Sequence, residues 1–172
     1  MSVLSTLVPS VVAVAILLGV SAFFSSSESA LFSLPEEWIQ ATAADESAAS
    51  LTLQELRGNP HRLLVTLLVG NNLVNIAITS IVTLLVATYV PPGITVVLST
   101  LATTVLILVF GEIVPKSYGL GHAEAWSLRV SRPIAAVEWI LGPLVTVFDR
   151  GTRSLTGLLG GDQGIEETYL ED

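Results

Sequence analysis

The sequence predicts an all-α integral membrane protein in which three transmembrane helices cross the bilayer and a fourth helix lies along one interface. Three observations predict it. The 172 residues are 51% hydrophobic with a mean hydropathy of +0.73, a composition suited to lipid, and their number gives room for one domain. The chain holds uncharged apolar runs of the roughly 18 residues or more that a crossing helix needs. Its seven Lys and Arg residues fall in only two places, between the first and second runs and after the third.

The first span, residues 3–32, is apolar as far as Phe24 and continues through Ser25-Ser-Ser-Glu28-Ser29-Ala-Leu-Phe32, whose Ala, Leu and Glu favour helix. Its start lacks the basic segment of a cleaved secretory signal, so it reads as a retained helix. Pro35 to Arg62 is polar, with alanine-rich and leucine-containing stretches that predict short surface helices. The second span, 63–89, carries no charge and is long enough to cross with tilt. A turn at Val90-Pro-Pro-Gly93 returns the chain into a third, antiparallel span over 94–112.

Ile134 to Phe148 is too short for a fourth crossing and is interrupted by Glu138, Gly142 and Pro143. A crossing there would also export Arg150 and Arg153, against the positive-inside rule. The segment is therefore expected as an interfacial helix over 134–148, with Trp126 and Trp139 at headgroup depth. The same charge bias places the N-terminus outside and the C-terminus in the cytoplasm of a multi-pass cell-membrane protein. Residues 1–159 form the membrane domain, and 160–172, Gly-rich and then acidic, form a cytosolic linker.

Composition also excludes. The net charge of −8 sits in loops and tail without any basic stripe, so no nucleic-acid partner is expected. With no cysteine there is no thiolate or disulfide chemistry, and His61 and His122 stand alone rather than at zinc spacing. A metal held here is a hard one, held by oxygen.

Three groups of residues offer that oxygen. Ser21, Ser25 and Ser29 recur every four residues along the first helix, with Glu28 on the same side. Small residues of this kind also serve plain helix packing, and serine hydroxyls bond back to their own helix. Asn71, Asn72 and Asn75 crowd one part of the second helix, where Asn72, Asn75 and Thr79 share a face; interhelical hydrogen bonding is the simpler use, but three amides exceed what it requires. Glu112 lies at the end of the third span between Gly111 and Pro115. A solvated pair with Lys116, four residues on, is the plain reading; a carboxylate at membrane depth beside a helix break is the functional one. Pro115 predicts that break because it cannot continue the backbone hydrogen bonding.

Taken in order, Ser25-Ser-Ser-Glu28-Ser-Ala30, Gly70-Asn-Asn72-Leu-Val-Asn75 and Gly111-Glu-Ile-Val-Pro-Lys116 resemble the DUF21 transmembrane domain of the CNNM/CorC family of magnesium transport proteins. The resemblance covers Ser21 to about Arg153. It implies a homodimer, each subunit with three spans and a belt-like juxtamembrane helix, that exports Mg2+ in exchange for Na+. The metal site it implies is Ser21, Ser25, Asn72, Asn75 and Glu112, with Gly111 and Pro115 shaping an unwound segment and Ser29 and Lys116 in support. Glu28 and Asn71 are further supporting candidates from the residue pattern. Family members usually continue into a cytosolic CBS-pair module, which this sequence does not contain.

Two other functions compete with transport. A sensor that binds Mg2+ and regulates a partner transporter predicts binding without flux. An intramembrane hydrolase needs a base near Ser25 to Ser27, and neither histidine lies mid-membrane, nor is there a Gly-x-Ser-x-Gly; the chain is not expected to be an enzyme.

Overall fold

A computed structural model describes residues 3–158 except Asp45. The described residues are helical, without a strand. Helix α1 (Val3–Ser33) is followed by two short helices, α2 (Glu36–Ala43) and α3 (Ala48–Arg57), then by the long α4 (Pro60–Tyr89). Helix α5 (Pro92–Leu106) runs without interruption through a π-helical segment, Ile107–Ile113, into α6 (Val114–Gly121). Helix α7 (Ala123–Leu158) ends the described chain. The linker expected over 160–172 lies outside the described residues.

Local chemistry sets these boundaries. Ser47 caps α3 by accepting from the backbone N–H of Ser50, and Asn59 caps α4 by accepting from that of Arg62, with Pro60 in the first turn. Pro91 and Pro92 then force the turn between α4 and α5.

Helices α1 and α4 run antiparallel. Ser21 meets Asn71 and Asn75, and Phe24 lies against Gly70, where an added Cβ would approach the ring to 2.6 Å. The apolar interior falls into two clusters. The larger gathers Phe24, Leu31 and Leu34 of α1 with Ile39, Leu53, Leu56, Leu63, Leu67, Val130 and Ile134, at the end of the bundle where α2, α3 and α7 cover it. The smaller, Val14, Ile78 and Val82, holds the opposite half of α1 and α4. Burying apolar side chains drives helix association strongly where water competes and weakly inside lipid, so the larger cluster belongs to the wet end. At that end Arg57 lies 5.5 Å over the Phe32 ring; desolvation lowers its pKa and the neighbouring Glu36 opposes the shift, so α3 is tied to the end of α1 by a cation held against an aromatic face.

Two sequence expectations change. The break expected at Pro115 is absent: the third long helix continues from Pro92 to Gly121, wound wider rather than unwound. In the π segment the Val114 N–H bonds to the Val109 carbonyl, five residues back. The wider turn makes room for the Pro115 ring, which an α turn would drive into the carbonyl four residues earlier. The segment expected over 134–148 is part of one helix, Ala123–Leu158, that carries Pro133 and Pro143 within it. Among the described residues four helices are thus long and apolar enough to cross a membrane by length and composition, including Ala123–Phe148, so shortness is no argument against a fourth crossing. Its contacts are more telling. Trp126 donates to Ser26 Oγ (3.1 Å), Ser131 to the Ala49 carbonyl (3.1 Å), and Glu138 pairs with Arg62 Nε (2.6 Å). From Trp126 to Glu138 the helix advances roughly 18 Å, while its partners all sit at the α1 C-terminal and α4 N-terminal end.

Candidate cation site

Between the two apolar clusters lies a polar one. Ser21 is fully buried, and its Oγ lies 2.8 Å from Asn75 Oδ1 and 3.0 Å from Asn71 Oδ1. A hydroxyl has one proton, so it donates to only one of these carbonyl oxygens at a time and leaves the cluster rich in oxygen lone pairs. Gly111 closes the third side: its missing Cβ would stand 2.8 Å from Ser21 Oγ, so only a glycine lets the π segment approach this closely. The next residue, Glu112, is half-buried, and its carboxylate has no hydrogen bond or ion pair among the described residues. One turn along α1, Ser25 Oγ is fully buried with no hydrogen-bond partner.

The serines of α1 therefore divide. Ser26 and Ser27 return their hydroxyls to the Phe23 carbonyl (3.1 and 2.7 Å), as a packing role requires. Ser21 and Ser25 do not. Thr79 likewise bonds back, to the Asn75 carbonyl at 2.8 Å.

The chain that carries this arrangement has relatives. The family model described as the cyclin M transmembrane N-terminal domain, CNNM, matches residues 12–172. The chain belongs to the CNNM transmembrane-domain family. A chloroplastic DUF21 domain-containing protein of Arabidopsis thaliana is 36% identical over 149 residues, covering 85% of this chain and 22% of the relative. A UPF0053 protein of Haemophilus influenzae is 34% identical over 146 residues (84% and 34%), and the UPF0053 inner membrane protein YfjD of Escherichia coli 30% over 142 residues (82% and 33%). The chain spans between about a fifth and a third of these relatives' lengths. Membership and the long apolar helices together make it a multi-pass membrane protein.

Within this CNNM domain the structure brings together Ser21, Asn71, Asn75 and Gly111, with Ser25 a turn away and Glu112 adjoining. Asn72 is not among them. It is exposed on the single chain, and its neighbour Asn71, placed only in support by the sequence pattern, takes the inward position. The spacing could have separated them: Asn71 and Asn75 are four residues apart and share a face, while Asn72 lies about 100° round the helix from Asn71. Glu112 does not pair with Lys116, the plain reading of its sequence. Lys116 Nζ instead lies 3.3 Å from Glu28 Oε2, tying α6 to α1. Ser29 is half-buried, and Pro115 is buried in the first turn of α6.

Aromatic residues that sequence reasoning placed singly act as a group. Tyr118 stacks on His122 (centroids 4.4 Å apart) and meets Trp126 edge-on (5.4 Å), while Gly119 lies so close to Ser26 that an added Cβ would come within 2.2 Å of its carbonyl oxygen. This contact fixes α6 against α1 just beyond the polar cluster.

Among the described residues no three His, Cys, Asp or Glu side chains gather as a metal cluster. The oxygens on offer are mainly neutral, with one carboxylate, a set that suits a hard cation held weakly.

Proposed function

We propose that this domain is a secondary-active transporter that carries Mg2+ out of the cell against entry of Na+. The observation that carries the reading is the convergence of the Ser21 hydroxyl with the Asn71 and Asn75 carbonyls on Gly111, beside an unpaired Glu112. A buried hydroxyl with two half-buried carbonyl oxygens that share its one proton favours a cation, and a single carboxylate lets it leave again. Ser21, Ser25, Asn75 and Glu112 are its proposed ligands, with Asn71 added from the geometry. Family membership favours a transporter or regulator over an enzyme.

Asn72 supports the homodimer in this reading. An exposed amide at membrane depth needs a hydrogen-bonding partner, and a second subunit supplies the surface for one. The contacts of α7 at one end of the bundle support a belt-like helix and three crossings, with the N-terminus outside and the C-terminus cytoplasmic. A cytosolic CBS-pair module in cis is the proposed partner of the domain.

The test is Mg2+ flux in liposomes holding only the purified chain, with and without a Na+ gradient, beside Glu112→Gln. Flux that follows the Na+ gradient and is lost in Glu112→Gln is expected. Mg2+ binding without flux, persisting after a cytosolic module is restored, would instead establish a sensor; undiminished flux in Glu112→Gln would remove Glu112 from the site.

A further inference from the structure

A second polar site lies at the end of the bundle, more than two turns of α4 away from Asn71. A groove of about 270 Å³ opens where α3, the first turn of α4 and the middle of α7 meet. That is at the small end of the roughly 300–1,000 Å³ of ligand pockets, the size for a headgroup rather than a large molecule.

Its lining mixes charges in a defined way. Arg62 lines the groove, gives its Nε to Glu138 and holds its Nη2 toward Gly142, 3.7 Å from the place a Cβ there would fill. Asn59 spends its Oδ1 on the Arg62 backbone N–H, which leaves its amide N–H groups to donate. Trp139 is 83% exposed, and its indole N–H has no partner among the described residues. These are donors suited to phosphate oxygens. Glu55, across the groove, is exposed and has no ion pair among the described residues.

A plain anion would meet the carboxylates of Glu55 and Glu138, and a plain cation would meet Arg62. A zwitterion, with phosphate and ammonium a few bonds apart, satisfies both sides. The surroundings supply the rest of the molecule: round α7 from Trp139, roughly a third to a half of a turn from the groove lining, the helix exposes Ile140, Leu144 and Val147 as an apolar face. An exposed indole between polar and apolar surfaces is the usual mark of headgroup depth. We propose that this groove binds the headgroup of a zwitterionic aminophospholipid, phosphatidylethanolamine, with its phosphate toward Arg62, Asn59 and Trp139, its ammonium at Glu55 and its acyl chains along α7. The site stands independently of the transport reading.

Native mass spectrometry of the detergent-purified protein tests it, with phosphatidylethanolamine, phosphatidylcholine and phosphatidylglycerol offered at equal concentration and O-phosphoethanolamine as a soluble competitor. Phosphatidylethanolamine is expected to be retained above the other two, because a quaternary ammonium has no N–H for Glu55 and a glycerol headgroup carries no charge for it. Glu55→Gln is expected to lower that retention by about fivefold, the upper range of an exposed ion pair, and Trp139→Leu to weaken all three lipids. Both positions are exposed, and unchanged melting temperatures confirm that the fold is kept. Equal retention of the three lipids, or no effect of Glu55→Gln, would overturn the proposal. Displacement of the lipid by O-phosphoethanolamine at equal concentration would also overturn it, pointing to a soluble phosphoamine ligand.

Discussion

Replacing Gly111 by alanine should separate the fold from the ion site. The new Cβ would stand 2.8 Å from Ser21 Oγ but 3.5 Å from Ser21 Cβ, so only the hydroxyl is too close, by about 0.6 Å relative to ordinary contact. The least costly relief is rotation of Ser21 about its Cα–Cβ bond, which turns the hydroxyl out of the cluster and breaks its bond to Asn75 or Asn71. That loses about 1 kcal/mol, whereas moving the backbones apart costs roughly 1–3 kcal/mol. Against the loss, alanine in place of glycine within a helix gains about 0.5–1 kcal/mol. The two nearly cancel, so the melting temperature should stay within a few degrees of the parent. Cation binding should not stay, because a correctly aimed hydroxyl is gone. Loss of about 1.4 kcal/mol there is a tenfold weaker Mg2+ dissociation constant. Calorimetric titration of Mg2+ in detergent, beside thermal melting followed by tryptophan fluorescence, reads both quantities. Parent-like affinity with parent-like melting would refute the role given to the Ser21 hydroxyl, and collapse of the fold would refute the steric argument.

Three further perturbations follow from the same geometry. Gly119→Ala puts a Cβ 2.2 Å from the Ser26 backbone oxygen, where no rotamer gives relief, so α6 must leave α1 at a cost of about 1–3 kcal/mol or more; melting should fall by several degrees, while Gly19→Ala, with nothing within 4 Å, should not lower it. Pro115→Ala restores a backbone N–H and lets the π segment close as an α turn, so thermal stability should hold or rise while Mg2+ flux in liposomes falls, because residues before the change are rotated relative to those after it. Arg62→Gln and Glu138→Gln, at positions about a third and a fifth exposed in the parent pair, should show a coupling of about 1 kcal/mol in a double-mutant cycle read by denaturation.

Much of the architecture is legible because lipid constrains sequence strongly. Uncharged runs bounded by arginines and by the Pro91-Pro92 turn locate α4 and the start of α5 within a few residues: the expected 63–89 and 94–112 became Pro60–Tyr89 and the continuous helix Pro92–Gly121. What sequence could not supply was how a backbone accommodates a misfit. Pro115 signals that an α turn cannot continue, but whether the chain then unwinds or widens depends on what packs beside it. Here Gly111 against Ser21 and Gly119 against Ser26 hold the segment to α1 on both sides of the proline, and a wider helix keeps both contacts. The same limit applies to α7. Glu138, Gly142 and Pro143 read in sequence as interruptions, yet a proline removes only a local bond, and the burial of Val130, Ile134 and Val145 carries the helix through Pro133 and Pro143 alike. For the site, residue types were readable and facing was not. Spacing puts Asn71 and Asn75 on one face and Asn72 about 100° from Asn71, but only the angle at which α4 meets Ser21 decides which of those faces turns inward.

The position of the polar cluster bears on how such a domain could move. Toward α7, the helices are joined by the larger apolar cluster, by Trp126 on Ser26 and by the ion pairs of Lys116 with Glu28 and Arg62 with Glu138. Toward the other end, the buried core that α1 and α4 share is, among the described residues, Val14, Ile78 and Val82, where apolar contact within lipid separates at little cost. Ser21, Asn75 and Gly111 stand at the junction. A rocking motion that pivots about the well-joined end would therefore spread the helices mainly on the far side of the cluster, exposing its oxygens in that direction while Glu28, Lys116 and Arg62 hold their places. The reverse opening must break those ion pairs or shift α7. Whatever shifts α7 would then act on that opening, through the Arg62–Glu138 pair, rather than on the proposed ion ligands themselves.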